Sequence, residues 1–258
     1  MAARQETSHP DGDATQKPLP LLDGGASLPH SVFNLSVPSE DPQREKLRTV
    51  VERVEEVDKD DPCALAEFAQ TYLRLLRNKG NRHHFTGVPK RPEDLAEALK
   101  RPYNHGLAVR NMLDEVVAFA IIEDAQQDQG DSWLNKMVVA NNLQGKKKAD
   151  ASDAERPPRI GTQSLIKILD WSFTTPAFDG RQRSSVHAAV IIKVPNYQRM
   201  DDLLTSNGFR FISRLEKQAT VILGGKSIQK PVERFAIDRE TWDNNRFVNT
   251  IRESLPRN

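Results

Sequence analysis

Trp133-Leu-Asn-Lys-Met-Val-Val139 runs through Ala140-Asn-Asn-Leu143 into the polar stretch QGKKKADASDAERPP over 144–158, and then into Ile160-Gly-Thr-Gln-Ser-Leu165. The first piece alternates and then turns apolar, the pattern of a β-strand. The last opens a helix whose apolar positions Leu165, Ile168, Leu169 and Phe173 share one face. The polar stretch between them has no large apolar residue and reads as a mobile surface loop. A helix that begins at Gly161-Thr162 exposes unpaired N–H groups carrying partial positive charge, which is a ready anion site. An ordinary strand-to-helix turn, with Gly161 permitting close packing, is the alternative, and the local sequence weighs the two evenly.

Upstream, Leu47, Val50, Val51, Val54 and Val57 fit a helix or a strand. Asp60-Asp61-Pro62 then reads as a helix start, and Leu65, Phe68, Ala69, Tyr72, Leu75 and Leu76 form one apolar stripe, so a helix is expected over 62–78. A second short helix carries Glu93, Asp94, Leu95, Ala98 and Leu99 and ends before Pro102. Strands are expected at Gly106–Arg110 and Val116–Ile122, joined by the hairpin-sized turn 111–115. Downstream, Val186–Val194 reads as a strand and Asn196–Ser206 as a helix. Gly208–Ser213 and Ala219–Leu223 read as two strands paired across 214–218. The order is one open element, two helices, three strands, helix, strand, helix and two strands: an α/β sandwich with mixed strand directions.

The 258 residues suit one domain plus tails as well as two domains. Residues 1–42 hold six of the sixteen prolines and read as a flexible leader, with only Val32–Leu35 able to bury anything. The domain is expected over 43–225, with an inserted loop at 144–159 and a C-terminal tail at 226–258. A net charge of +1 supplies no global field for a phosphate backbone or an anionic membrane. The single cysteine, Cys63, excludes an internal disulfide framework and a Cys-rich metal site, and makes a reducing compartment the default. With no apolar run of membrane-spanning or signal-peptide type, the chain reads as soluble and cytoplasmic.

Several sharper motifs fail on spacing. Gly225-Lys226-Ser227 mimics the end of a phosphate-binding loop, but Thr220 stands where its first glycine belongs and Pro231 follows where a helix should begin. His83 and His84 diverge on a helix and oppose each other on a strand, so they do not share a metal. No G-x-S-x-G elbow supports a hydrolase. Lys146-Lys147-Lys148 reads as a solvated charge run, and Cys63 as a buried or half-buried structural thiol.

The order of segments from about Val50 to Leu223 resembles the GNAT superfamily of N-acetyltransferases, whose phosphate loop Q/R-x-x-G-x-G/A follows the fourth strand. Asn142-Leu-Gln-Gly-Lys146 is similar to its beginning and Ile160-Gly-Thr-Gln163 to its end, with 147–159 inserted; a second register uses Arg156–Gly161. The segment Phe85-Thr-Gly with Pro92–Leu95, Ala98 and Leu99 resembles the family's second helix. Val190–Val194, Asn196, Leu203-Leu204 and Asn207-Gly208-Phe209 resemble its fifth strand, fourth helix and the start of its sixth strand.

The resemblance implies a mixed, mostly antiparallel central sheet flanked by helices, and direct attack of a substrate amine on the thioester of acetyl-CoA, with no metal. It also implies cofactor contacts at Met137, Val138, Val139, Gln144, Gly145, Lys146, Arg159, Ile160, Gly161, Thr162 and Asn196. Glu123 or Asp124, at the end of the central strand, is the base. Leu204 replaces the tyrosine that many members use to protonate the leaving thiolate. A binding or regulatory module that keeps the fold without turnover is the competing class, and a scaffold whose leader and tail hold partners is a third. The acceptor amine is not legible.

Overall fold

Asp41 and Asp61 each accept a main-chain N–H at a helix start and each precedes a proline, whose fixed φ suits a first turn. The computed structural model, which describes residues 32–78, 89–125, 131–140, 159–194, 197–223 and 226–256, accordingly begins with α1 (Pro42–Arg48), β1 (Val51–Glu56) and α2 (Pro62–Arg77). The segment that periodicity left open is thus a short helix followed by a strand. Next come α3 (Pro92–Leu99), β2 (Asn104–Asn111), β3 (Val116–Asp124) and β4 (Asp131–Val139). They are followed by α4 (Ile160–Thr174), β5 (Ser185–Ile191), α5 (Tyr197–Ser206), β6 (Arg210–Leu223), β7 (Lys226–Asp238), α6 (Arg239–Asn244) and α7 (Arg246–Ser254).

The strands form one sheet in the order β1-β2-β3-β4-β5-β7-β6. Every pairing is antiparallel except β4 with β5. This is the mixed, mostly antiparallel α/β sheet expected. Alternation along the strands sends Leu107, Ala118, Ala120 and Ile122 to one face, under α4, and Ala108, Phe119 and Ile121 to the other, under α2 and α3. On the second face Phe33, Phe68 and Phe119 meet edge to face, with centroids 5.1–5.8 Å apart.

Four expectations are corrected. The leader does not extend to residue 42, because Phe33 is buried in that aromatic cluster and Leu35 forms a parallel bridge to Val116; residues 1–31 lie outside the described residues. Residues 226–256 are not a tail, because β7 lies between β5 and β6, and α6 and α7 bury Trp242, Val248 and Ile251 in the main core. The hairpin across 214–218 does not form either. Glu216–Gln218 bulge out of a continuous β6, which pairs with β7 through Leu223 and Lys226. Pro231, which has no N–H to give the ladder, stands opposite that bulge between Lys230 and Val232. Cys63 is exposed, not buried. His83, His84 and most of the 144–159 insertion lie outside the described residues, and no described helix is long and apolar enough to cross a membrane.

A buried charge network ties the loop after α4 to the sheet. Arg183 grips Asp124 with Nε to Oδ1 at 2.7 Å and Nη2 to Oδ2 at 3.0 Å, and its Nη1 donates to the carbonyls of Ser172 and Thr175. His105 places one ring nitrogen 2.9 Å from Asp124 and the other 2.7 Å from Glu56, so both nitrogens donate and the ring is an imidazolium. Burial pushes the His105 pKa down, but the hydrogen bonds to Asp124 and Glu56 outweigh it and raise the net value. Burial pushes the Asp124 carboxyl up, but donors from His105, Arg183 and Ser132 hold it well below the usual carboxylate range. Glu56 is likewise lowered, its hydrogen bond and ion pair with His105 and the charge of Lys59 overriding its burial.

The His105 contribution to stability is complete below its unfolded value near pH 6.5 and is lost as pH rises through the raised folded value. The carboxylate contributions are complete above about pH 4.5 and are lost as pH falls through the lowered folded values. Urea midpoints of the parent should therefore fall between pH 5.5 and pH 9, and His105→Gln should flatten that slope; equal slopes would contradict the assignment. Asp124→Ala strands the fully buried Arg183 without a counter-charge and should cost about 3–5 kcal/mol in the same assay.

Candidate acyl-transfer site

β4 and β5 run parallel and paired only from Asp131–Ser185 to Leu134–Ala188, and then part. A bulge coincides with the parting. Ile122 pairs with Leu134 but Ile121 with Lys136, so Asn135 is the extra residue, and it turns β4 away from its neighbour. The gap is a small cleft walled by Lys136 and Met137 of β4, Ala189 to Ile191 of β5, Leu165 of α4, and Met200, Leu203 and Leu204 of α5. Ala140 N–H bonds Val117 O on the β3 side, so strand alternation turns the main chain of Met137 and Val139 toward the cleft.

α4 begins at the mouth of this cleft. Its N-cap, Arg159, makes no side-chain cap, and among the described residues a Cβ built on Gly161 would meet only Val139 Cγ2, at 3.9 Å. No other described residue packs on Gly161, so among the described residues its missing side chain leaves the first turn open. Among the described residues nothing calls for a glycine kept for close packing. The helix is held firmly, because Gln163 accepts Val51 N–H at 2.9 Å and donates to Thr49 O at 3.0 Å. Further along, Lys167 donates to Pro256 O, and Asp170 accepts from Trp242 and Arg252.

The structure brings Val139, at the end of β4, against Gly161 in the first turn of α4, which Arg159, Ile160 and Thr162 share; Met137 lines the cleft, and the Val138 side chain is buried on the opposite face of the sheet. Gln144, Gly145, Lys146 and Asn196 lie outside the described residues. Leu204 is buried in the cleft wall, so no hydroxyl stands there.

Asp124 is corrected as a base. It faces the α4 side, its oxygens accept from Arg183, His105, Ser132 and the Phe178 N–H, and its proton affinity is depressed. Glu123 points to the opposite face, pairs across β3–β4 with Trp133, and accepts a hydrogen bond from Asn135.

That opposite face of the parting carries residues that motif reading missed. Trp133 and His187 stand directly opposite each other, ring centroids 5.0 Å apart, and the Arg234 guanidinium lies 5.6 Å over the indole. Lys136 adds a second cation, half-buried, its pKa lowered by desolvation against the partial pull of Glu123. The only sequence signal was Trp133 itself, an aromatic on a polar phase of its strand.

Vibrio cholerae spermidine N-acetyltransferase, in a complex with CoA and spermine, is 13% identical and superposes over 74% of this chain and 97% of its own, with a TM-score of 0.53. Mycobacterium smegmatis RimJ, in complex with CoA-disulfide, is 16% identical over 80% of this chain and 93% of its own, with a TM-score of 0.51. No family model and no curated protein sequence matches the chain. The strand order, the parted parallel pair and these superpositions together identify the fold as that of the GNAT N-acetyltransferases.

Proposed function

We propose that the protein is an acyl-CoA-dependent N-acetyltransferase that moves an acetyl group from acetyl-CoA to an amine of a small molecule or a protein. The observation that carries this reading is the parting of β4 and β5 onto an uncapped α4 N-terminus whose second residue is an unpacked glycine. Acetyl-CoA supplies an activated thioester; the chain's own work is positioning, charge stabilisation and proton removal.

The N–H groups of Ile160 to Thr162, with the helix dipole behind them, would hold the pyrophosphate, and Gly161 lets the phosphates approach the main chain. Arg159 would add a cation beside it, and Gln144, Gly145, Lys146 and Asn196, outside the described residues, are proposed as further contacts to the cofactor. Main-chain groups of Met137 to Val139 would align the pantetheine arm, and the Met137 N–H would face the carbonyl oxygen that gains charge during attack. The amine must then approach from the Trp133–His187 face, since the α4 side of the sheet is filled by core. A cytoplasmic setting belongs to the same reading, because a lone exposed thiol suits a reducing compartment.

A binding module without turnover is the second reading, favoured by the buried Leu204 in place of a hydroxyl acid. Incubation with acetyl-CoA and a pool of amines, following free thiol, separates the two.

Acetyl-CoA at about 100 times its dissociation constant should stabilise the fold by about 2.7 kcal/mol, roughly 5–10 °C in Tm; no shift at millimolar ligand would sink the cofactor claim. Gly161→Ala should raise intrinsic stability by about 0.5–1 kcal/mol, because the site is helical and open. Gly161→Glu should stay folded yet abolish the acetyl-CoA shift, since its carboxylate takes the phosphate position. A Gly161→Glu protein that binds as well as the parent would place the phosphates elsewhere.

A further inference from the structure

β5 carries His187 one residue before its ladder with β4 ends, on the face from which the amine must approach. Around it, Asp131, Ser185 and the imidazole form a connected set. Ser185 Oγ lies 2.6 Å from Asp131 Oδ1 and 3.0 Å from His187 Nε2, and that nitrogen is 3.5 Å from Asp131 Oδ2. A serine has one hydroxyl proton, and an ionised carboxylate can only accept. Ser185 therefore donates to Asp131, and its oxygen accepts from His187 Nε2–H. The neutral ring is fixed as the Nε2–H tautomer, which leaves the Nδ1 lone pair as a proton acceptor without a partner among the described residues.

We propose that His187 is the general base of the transfer, with Ser185 and Asp131 as its positioning residues; this rests on the acetyltransferase reading above. His187 Nδ1 takes a proton from the acceptor ammonium, directly or through one water. The freed nitrogen lone pair attacks the thioester carbon, forming the C–N bond and moving the carbonyl π pair onto oxygen. When that pair returns, the C–S bond breaks with its electrons on sulfur, and the proton still borne by the new amide nitrogen passes to the thiolate. His187 then releases its proton to solvent.

The imidazolium formed in the first step has Asp131 as counter-charge from β4. Arg234 of β7, over Trp133, opposes it, and Glu123 of β3 lies beyond the indole. Glu123 is the weaker candidate, because it sits one strand away from the parting and is engaged by Asn135. The transfer of the ammonium proton needs no tyrosine, so Leu204 does not bear on this step.

The test compares parent, His187→Gln and Asp131→Asn on acetyl-CoA with spermidine, a peptide with a free N-terminus, and 2-phenylethylamine. His187→Gln should lower kcat/KM for the acceptor by about 100-fold or more, leave the acetyl-CoA thermal shift unchanged, and remove the acid limb of the pH profile. Asp131→Asn should fold, retain more activity, and move that limb to lower pH. A His187→Gln protein with parental rate and limb would overturn the proposal while leaving the acetyltransferase reading intact. A parent that acetylates none of the amines would overturn both. Nitrogen NMR of the imidazole in the parent, which needs no acceptor, should show the Nε2–H tautomer, and an Nδ1–H tautomer would overturn the proposal independently.

Discussion

Everything distinctive in this molecule follows from two parallel strands that stop pairing after Leu134 and Ala188. Main-chain groups that leave a ladder must find other partners or water, so a parted pair is tolerable only where something else fills the gap. Here the bulge at Asn135 initiates the parting and apolar side chains from α4 and α5 wall it. The crossover that any parallel pair requires is α4, and it delivers a helix N-terminus to the mouth of the same gap. An apolar slot that ends at a helix N-terminus is the shape that the proposed acyl-CoA site requires: room for a long thioester arm and partial positive charge for its phosphates.

The architecture separates structural charge from chemical charge. Asp124, Arg183, His105 and Glu56 are mutually saturated and hold the α4–β5 loop to the sheet. Such a cluster is stable because its members have nothing left to offer a substrate. On the other face Lys136 and Arg234 have no ion-pair partner among the described residues, and His187 keeps one ring nitrogen open. The adjacent acids Glu123 and Asp124 show the division most directly. Strand alternation alone sends one to the network and the other to the open face.

How much was legible in the sequence follows the same physics. The 133–139 strand and the helix from Ile160 could be read because their apolar periods are distinct, and Gly161 could be singled out because the helix start fixed its place. β7 could not be read, because KSIQKPVERFAID reaches beyond the core with charged residues on both faces and carries a proline. Its place between β5 and β6 is a tertiary fact, and so is the absorption of Pro231 by the facing bulge. His187 gave no local signal, since its partners lie two residues away on its own strand and on β4. Asp124 was misread because a strand-end acid resembles an exposed turn residue until Arg183, fifty-nine residues later, is folded against it.

Hydrogen–deuterium exchange of the full chain with and without CoA tests the central claim most directly. If the parted strands and the α4 terminus form one acyl-CoA site, CoA should slow exchange at the amides of Met137 and Val139 and of Ile160 to Thr162 together, and leave β1 and β2 unchanged. Protection elsewhere with none at these two segments would contradict the account.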